Sequence, residues 1–240
     1  MALKEGDMVL IHYTIKVVDG EEEIVETTRE DVAKKAGIYD PNKSYGEYLV
    51  VVGKSTLIDA VNEALKEMSP GDKREIEAPP EKAYGEWRQD LLIRIPLKQF
   101  RRHNIVPRVG QEVEVGGRVG RIVRMTERFA YVDFNHPLAG KKLKIELEVL
   151  KKLENDEEKL GYLAKRWLNT EPVTVKAGDE AEIVLPSDVL GLRDLDSRLQ
   201  LLSRDVYLYV KPKKLRITVE VEYPEEAEKA EGGEASSEGS

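Results

Sequence analysis

The 240-residue chain contains no cysteine. That excludes disulfides, a thiol nucleophile and thiolate metal sites. Histidine is nearly as scarce: His12, His103 and His136 stand far apart, so a metal site would have to be gathered by the fold, and none is expected. No stretch approaches the roughly 18 apolar residues needed to span a bilayer. The start, Met1-Ala2-Leu3-Lys4-Glu5-Gly6-Asp7, lacks the apolar region of a secretory signal. These absences predict a cytoplasmic protein without membrane contact. The phosphate-binding patterns are missing too. Gly53-Lys54-Ser55 matches only the end of a phosphate loop, without its first glycine, and no Gly-x-Gly-x-x-Gly follows a strand. No Gly-x-Ser-x-Gly elbow occurs. Nucleotide and serine-hydrolase chemistry therefore drop out, and no cofactor is expected. Glu21-Glu22-Glu23 and Asp156-Glu157-Glu158 read as solvated surface.

Charge is plentiful, at 35% of residues, and unevenly placed. The net charge is −8, but Tyr223 to Ser240 holds six Glu against one Lys and carries −5 of it. This Glu, Ala, Gly and Ser tail buries too little to offset chain entropy, so 224–240 is read as disordered. Residues 87–134 behave oppositely. They hold ten Lys and Arg against five Asp and Glu, a surplus of +5. That contrast marks a separate module, rich in strands and Gly turns: Glu112 to Val115, Arg118 to Met125, and Phe129 to Phe134.

Before this block, Val9, Ile11, Tyr13, Ile15 and Val17 alternate on one face of a strand, and Asp19-Gly20 turns the chain into a second run at Ile24-Val25. Thr28 to Glu47 is a polar excursion with a short helical piece around Asp31 to Lys35. Tyr48 to Val52 is a short strand. Leu57 to Met68 has helical spacing, with Ser55 or Thr56 as cap and Ser69-Pro70-Gly71-Asp72 as stop. Lys73 to Ala78 and Leu143 to Val149 read as strands. Further on, Asn155 can cap a helix bearing Leu160, Leu163, Trp167 and Leu168. Val173 to Val175 and Glu182 to Leu185 look like strands and Asp194 to Val206 looks helical. Leu215, Ile217, Val219, Val221 and Tyr223 alternate as one half-buried strand.

The ordered motifs are more specific than any one of them. They are His12-Tyr13-Thr14, Asp19-Gly20, Val25-Glu26-Thr27-Thr28, Val52-Gly53-Lys54, Leu57-Ile58, Met68-Ser69-Pro70-Gly71-Asp72-Lys73 and Ala83-Tyr84-Gly85. This set resembles the FKBP-type peptidyl-prolyl cis/trans isomerases. Asn135-His136-Pro137-Leu138-Ala139-Gly140, with the strand after it, resembles the SlyD-like branch, in which an insert-in-flap domain interrupts the isomerase. Together the resemblance covers about residues 5–153, and 155–223 is similar to the extension of long archaeal members.

The resemblance implies an α+β fold: a bent antiparallel sheet around one helix, a β-rich insert and a small α+β C-terminal domain. It divides the chain into 1–86 with 135–154, 87–134, 155–223 and the tail. It implies a proline-binding hollow with Tyr13, Glu26, Ile58 and Tyr84 in the catalytic roles and Val25, Tyr48, Leu57, Val61 and Ile145 lining it. The Tyr84 hydroxyl and the Ile58 N–H would hold the substrate. Val25, Val61 and Ile145 stand where members often carry aromatics, and Glu26 where Asp is usual. The tail has none of the His and Cys that bind metal in some bacterial relatives.

The implied partners are unfolded polypeptides containing X–Pro bonds. Ile93, Ile95, Leu97, Phe100, Ile105 and Val106 are candidates for a chaperone surface, or for the insert's own core. A holdase without isomerase activity is the alternative function. The basic insert could favour acidic substrates, dock near ribosomal RNA, or be a plain basic surface. The Leu215 to Tyr223 strand could pair across a homodimer or close its own sheet.

Overall fold

The computed structural model describes residues 2–54, 58–102 and 104–222. The expected cap at Ser55 or Thr56, the pocket residue Leu57, Tyr223 and the acidic tail lie outside the described residues. The chain forms two compact units, Met1–Glu154 and Asn155–Ser240. Among the described residues no helix is long and apolar enough to cross a membrane.

The first unit is organised around β1 (Met8–Val17). Its alternating apolar residues bury Val9, Ile11, Tyr13 and Ile15 on one face. On one edge β1 pairs with β2 (Glu23–Thr27) through Thr14 to Val17, and with β3 (Tyr48–Val51) through Met8 to Ile11. On the other edge β9 (Leu143–Lys152) runs antiparallel along nearly its whole length, and β4 (Lys73–Ala78) pairs with β9. Short helix α1 (Glu30–Lys35) lies in the excursion between β2 and β3. Helix α2 (Asp59–Leu65) buries Ala60, Val61, Ala64 and Leu65 in one core with the inward residues of β1 and β9. It is shorter than Leu57 to Met68, because Ser69-Pro70 and the turn closing on Asp72 end the helical pattern early.

Between β4 and β9 stands a second sheet, antiparallel and ordered β5 (Leu92–Pro96), β8 (Phe129–Asp133), β7 (Arg118–Met125), β6 (Glu112–Val115). Helix α3 (Leu97–Arg102) covers its apolar face through Phe100. The pattern reading found β6, β7 and β8 but neither β5 nor α3. Leu92-Ile93-Arg94-Ile95 is too short a run to stand out, and Pro96 argues against a strand unless it is an edge, which β5 is.

In the second unit Asn155 caps α4 (Asp156–Leu168), its side chain accepting the Glu157 N–H at 2.7 Å. Helix α4 and α5 (Leu195–Tyr209) pack with a three-stranded sheet ordered β10 (Thr174–Lys176), β11 (Glu180–Pro186), β12 (Lys214–Glu220). Trp167 donates its indole N–H to the buried Asp205 at 2.9 Å, which ties the helices together. The strand expected through Tyr223 ends at Glu220. Leu215 and Ile217 are half-buried, but Val219 and Val221 are exposed, so burial supports only the first part of the alternation.

Gly120 on β7 gives a test of insert packing. A Cβ there would stand 2.7 Å from Val132, 2.8 Å from Phe134 and 2.9 Å from the Asp133 carbonyl. Gly120→Ala should destabilise the insert by about 1–3 kcal/mol. Urea unfolding followed through Trp87, in a Trp167→Phe background, would measure it. An unchanged midpoint contradicts the packing described.

Candidate functional site

The bent sheet turns one row of side chains toward α2. Ile76 on β4, Ile145 on β9, Ile15 on β1 and Glu26 on β2 are successive cross-strand partners. Tyr13 lies one inward position along β1 and is buried. Its ring meets Tyr48 edge to face, with centroids 5.7 Å apart and planes at 88°. Ile145 and Val61 belong to the core itself, while Val25, Tyr48, Ile58, Ala83 and Tyr84 pack against it half-buried. Tyr13, Ile58 and Tyr84 thus meet at one apolar cluster. Leu57, expected among them, lies outside the described residues.

The polar groups here are few and specific. Tyr13 donates its hydroxyl to Glu26 Oε1 at 2.7 Å. Burial pushes the Tyr13 phenol far above its ordinary range, and the adjacent Glu26 charge and hydrogen bond push it further. Tyr84 is raised for the same reasons, burial first and Glu26 second. Both phenols are therefore hydrogen-bond donors at any physiological pH. Among the described residues no group takes up the Tyr84 hydroxyl. Ile58 directly precedes α2 with extended backbone (φ −57°, ψ 149°), and its carbonyl accepts from Val61 at 3.0 Å. Its own N–H precedes the first helical turn, where donors have no intrahelical partner.

One participant was not singled out from the sequence. His136, in the hexapeptide, stacks flat on Tyr84, with centroids 4.0 Å apart and planes 5° from parallel. Its Nδ1 accepts the Leu138 N–H at 3.2 Å, which puts the proton of the neutral ring on Nε2. The motif was visible, but nothing in one sequence brings a residue 52 positions downstream onto a tyrosine ring.

The same segment closes the base of the insert. Asn135 accepts the Arg88 N–H and donates to the Arg88 carbonyl, both at 2.9 Å. Trp87 donates to Asp133 at 2.9 Å, and the Gly140 N–H reaches the Gly85 carbonyl at 2.8 Å. Gly140 has φ +74°, and a Cβ there would stand 3.0 Å from Trp87 Cβ, so both conformation and space call for glycine.

The six apolar residues expected to form a chaperone surface divide. Ile95 and Phe100 are buried in the insert's core with Val113, Ile122, Ala130 and Val132, which corrects their assignment to the surface. They point to the face covered by α3, where a small module needs every apolar side chain. Leu97 and Ile105 are half-buried against that core, whereas Ile93 is 38% exposed and Val106 74%. Val109, Val119 and Val123 are also exposed. A cleft of about 310 Å³ opens onto the core beside Phe100, Ile105 and Val115.

Burial lowers the His136 pKa below its usual value, against a smaller opposing pull from Glu26. A histidine whose folded pKa is depressed contributes full stability above its unfolded pKa of about 6.5 and loses it as pH falls toward the folded value. The stack on Tyr84 should therefore hold at neutral pH and weaken in acid. An NMR titration of the His136 ring should give a midpoint below 6.5; a midpoint above that contradicts the geometry.

Comparison with known proteins places this arrangement. Residues 1–99 match the model of the FKBP-type peptidyl-prolyl cis-trans isomerases, and residues 94–138 match that of the FKBP26 IF domain. The short-type peptidyl-prolyl cis-trans isomerase of Methanocaldococcus jannaschii is 35% identical over 147 residues, covering 61% of this chain and 92% of that protein. The FKBP-type isomerase SlyD of Treponema pallidum is 32% identical over 144 residues, covering 58% of this chain and 80% of its own. SlyD of Pasteurella multocida is 30% identical over 119 residues, with coverages of 48% and 59%. With its sheet packed on one core helix and Tyr13, Tyr48 and Tyr84 gathered at one apolar cluster, the chain belongs to the FKBP-type peptidyl-prolyl cis/trans isomerases.

Proposed function

We propose that this isomerase rotates X–Pro bonds of unfolded chains in the hollow bounded by Tyr13, Glu26, Ile58 and Tyr84, while the insert holds the chain nearby. The observation that carries the reading is the convergence of Tyr13, Ile58 and Tyr84 on one apolar cluster, with the Tyr84 hydroxyl unclaimed among the described residues.

The barrier to be lowered is about 18–20 kcal/mol, set by the partial double bond of the planar imide. The planar form separates more charge than the twisted form. An apolar wall of Val25, Tyr48, Val61 and Ile145 therefore disfavours the planar state relative to the twisted one. Donors matched to the rotated carbonyl add binding that the flat ground state does not receive. The Tyr84 hydroxyl and the Ile58 N–H are the two donors in this reading. Glu26 holds the Tyr13 ring in place by accepting its hydroxyl. Lowering the barrier by about 5 kcal/mol would speed rotation by roughly four orders of magnitude. None of this needs a nucleophile, a metal or a proton relay.

Two features support binding of extended chains by the insert. Its outermost strands β5 and β6 each have one partner strand, so each offers an edge for main-chain hydrogen bonds. Ile93, Val106, Val109 and Val119 supply exposed apolar contacts around the sheet.

Exchange of a short X–Pro peptide, followed by NMR, tests the first half. The intact protein should accelerate it. Tyr84→Phe removes one donor and should cost about tenfold in kcat/KM, as expected for a hydrogen bond worth roughly 1–1.5 kcal/mol. Tyr84→Phe with Ile58→Gly should lose more. An inactive parent would leave a holdase, without catalysis, as the better reading.

The division of labour has its own test. Replacing 87–134 by a short glycine linker should spare activity on the short peptide yet slow catalysed refolding of a proline-limited protein severely. Equal loss in both assays contradicts it.

A further inference from the structure

The insert sheet has a second face, turned away from α3. Along β8, Phe129, Tyr131 and Asp133 alternate with the buried Ala130 and Val132 and so lie on this face. The register sets Arg94 of β5 and Arg124 of β7 on either side of Tyr131. The Arg94 guanidinium lies 4.5 Å from the Phe129 ring centre, and that of Arg124 lies 4.0 Å from the Tyr131 ring centre. Neighbouring Arg121 is paired with Glu112 at 3.0 Å, but among the described residues neither Arg94 nor Arg124 has a carboxylate partner. Asp133, the acid on β8, is already engaged by Trp87 and Asn135. Stacking orients a guanidinium without neutralising it, and the neutral donors of Trp87 and Asn135 leave Asp133 charged, so this face carries two oriented cations without ion-pair partners against one carboxylate.

Arg94 also stands on an open edge. The Leu97 N–H donates to the Arg128 carbonyl and the Phe134 N–H to the Leu91 carbonyl, which fixes the phase of the β5–β8 ladder. Hydrogen-bonded pairs fall on the odd-numbered residues of β5. The N–H and C=O of Leu92 and Arg94 therefore point away from β8; the Leu92 N–H is taken up by the Gln89 carbonyl, while among the described residues no backbone group takes up the Leu92 carbonyl or the N–H and C=O of Arg94. Pro96 falls in the same outward set, where its missing N–H costs the ladder nothing.

We propose that the outer edge of β5 takes up extended segments of client chains in which apolar and acidic residues alternate. This rests on the reading that the insert binds unfolded chains, and it names the class of chain. A strand added at β5 continues the pleat, so its side chains alternate between the two faces. One set lies beside Ile93, which is 38% exposed. The other lies beside Arg94 and meets a positive face. Carboxylates suit that second set, and lysines there are repelled by Arg94. A polynucleotide would answer the arginines but leave the open backbone groups and Ile93 unused, so the observations favour polypeptide.

The test uses the full chain and three labelled peptides of equal length, alternating Val with Glu, Val with Gln, or Val with Lys, with binding read by fluorescence anisotropy. Each favourable cross-strand charge pair contributes roughly 0.2–1 kcal/mol. The Glu peptide should therefore bind about tenfold more tightly than the Lys peptide at low salt, and the gap should close as salt rises. Arg94→Glu should reverse the order and Arg94→Gln should abolish it, with thermal melts showing that both variants are folded. If all three peptides bind equally, the charge preference is wrong while the client-binding reading stands. If none binds, that reading fails as well. An RNA oligonucleotide serves as competitor: displacement of the Glu peptide at lower concentration than unlabelled peptide would make the face a nucleic-acid site and overturn the proposal.

Discussion

The pairing of β1 with β9 is the constraint on which the rest of the first unit depends. Residues 9–17 meet residues 143–152, so the apolar cluster with Tyr13 forms only when segments about 130 positions apart come together. Tyr13 and Ile15 come from one strand and Ile145 from the other, and neither strand builds the wall alone. Closing so long a loop is entropically unfavourable and slow unless the intervening chain orders first. The insert meets this need. Its sheet brings its own two ends together, and Asn135 with Arg88, Trp87 with Asp133 and Gly140 with Gly85 fasten the junction. A flexible loop of about 50 residues would cost roughly 3–4 kcal/mol to close, beyond a fixed term. The folded insert replaces it with a short connection.

The same junction links the insert to the chemistry. Tyr84 and Gly85 precede Trp87, and His136 follows Asn135 by one residue. The clasp that closes the insert therefore also sets the His136 ring against Tyr84. The groups at this cluster stay neutral, since burial keeps both phenols protonated and His136 uncharged at neutral pH. Glu26 is the charge all three groups feel, and its hydrogen bond to Tyr13 leaves it less able to compete for a substrate. A hollow that favours a less polar, rotated imide has to be sparing with charge in this way.

Much of this was legible because local pattern and global fold agree along β1. Val9, Ile11, Tyr13 and Ile15 alternate, and that strand appears at the bounds the alternation gives. The hexapeptide and Ala83-Tyr84-Gly85 carried the family, and Asn155 carried its helix start. The failures have physical causes. Strand β5 is short, ends in proline and lies at an edge, so it has neither length nor pattern to announce it. Ile95 and Phe100 looked available because apolar residues in a basic block invite a surface role, but a module this small spends them on its core. His136 could not be assigned because its partner is distant in sequence. The register that leaves Arg94 without a counter-ion is likewise a property of three strands rather than of any one.

The holding surface and rotating pocket proposed here would make physical sense together through concentration rather than contact area. A proline in an unfolded chain meets a free pocket only by diffusion, whereas a chain held by the insert presents its prolines to a site tethered at fixed, short range. The gain vanishes if the chain is held too tightly, because a bound strand cannot leave for its own fold. The proposed edge pairing, through a few outward groups on a five-residue strand that ends in Pro96, with exposed rather than enclosed apolar contacts, would make weak and brief holding. Under the proposed function, that weakness would let the insert raise local substrate concentration without trapping the product.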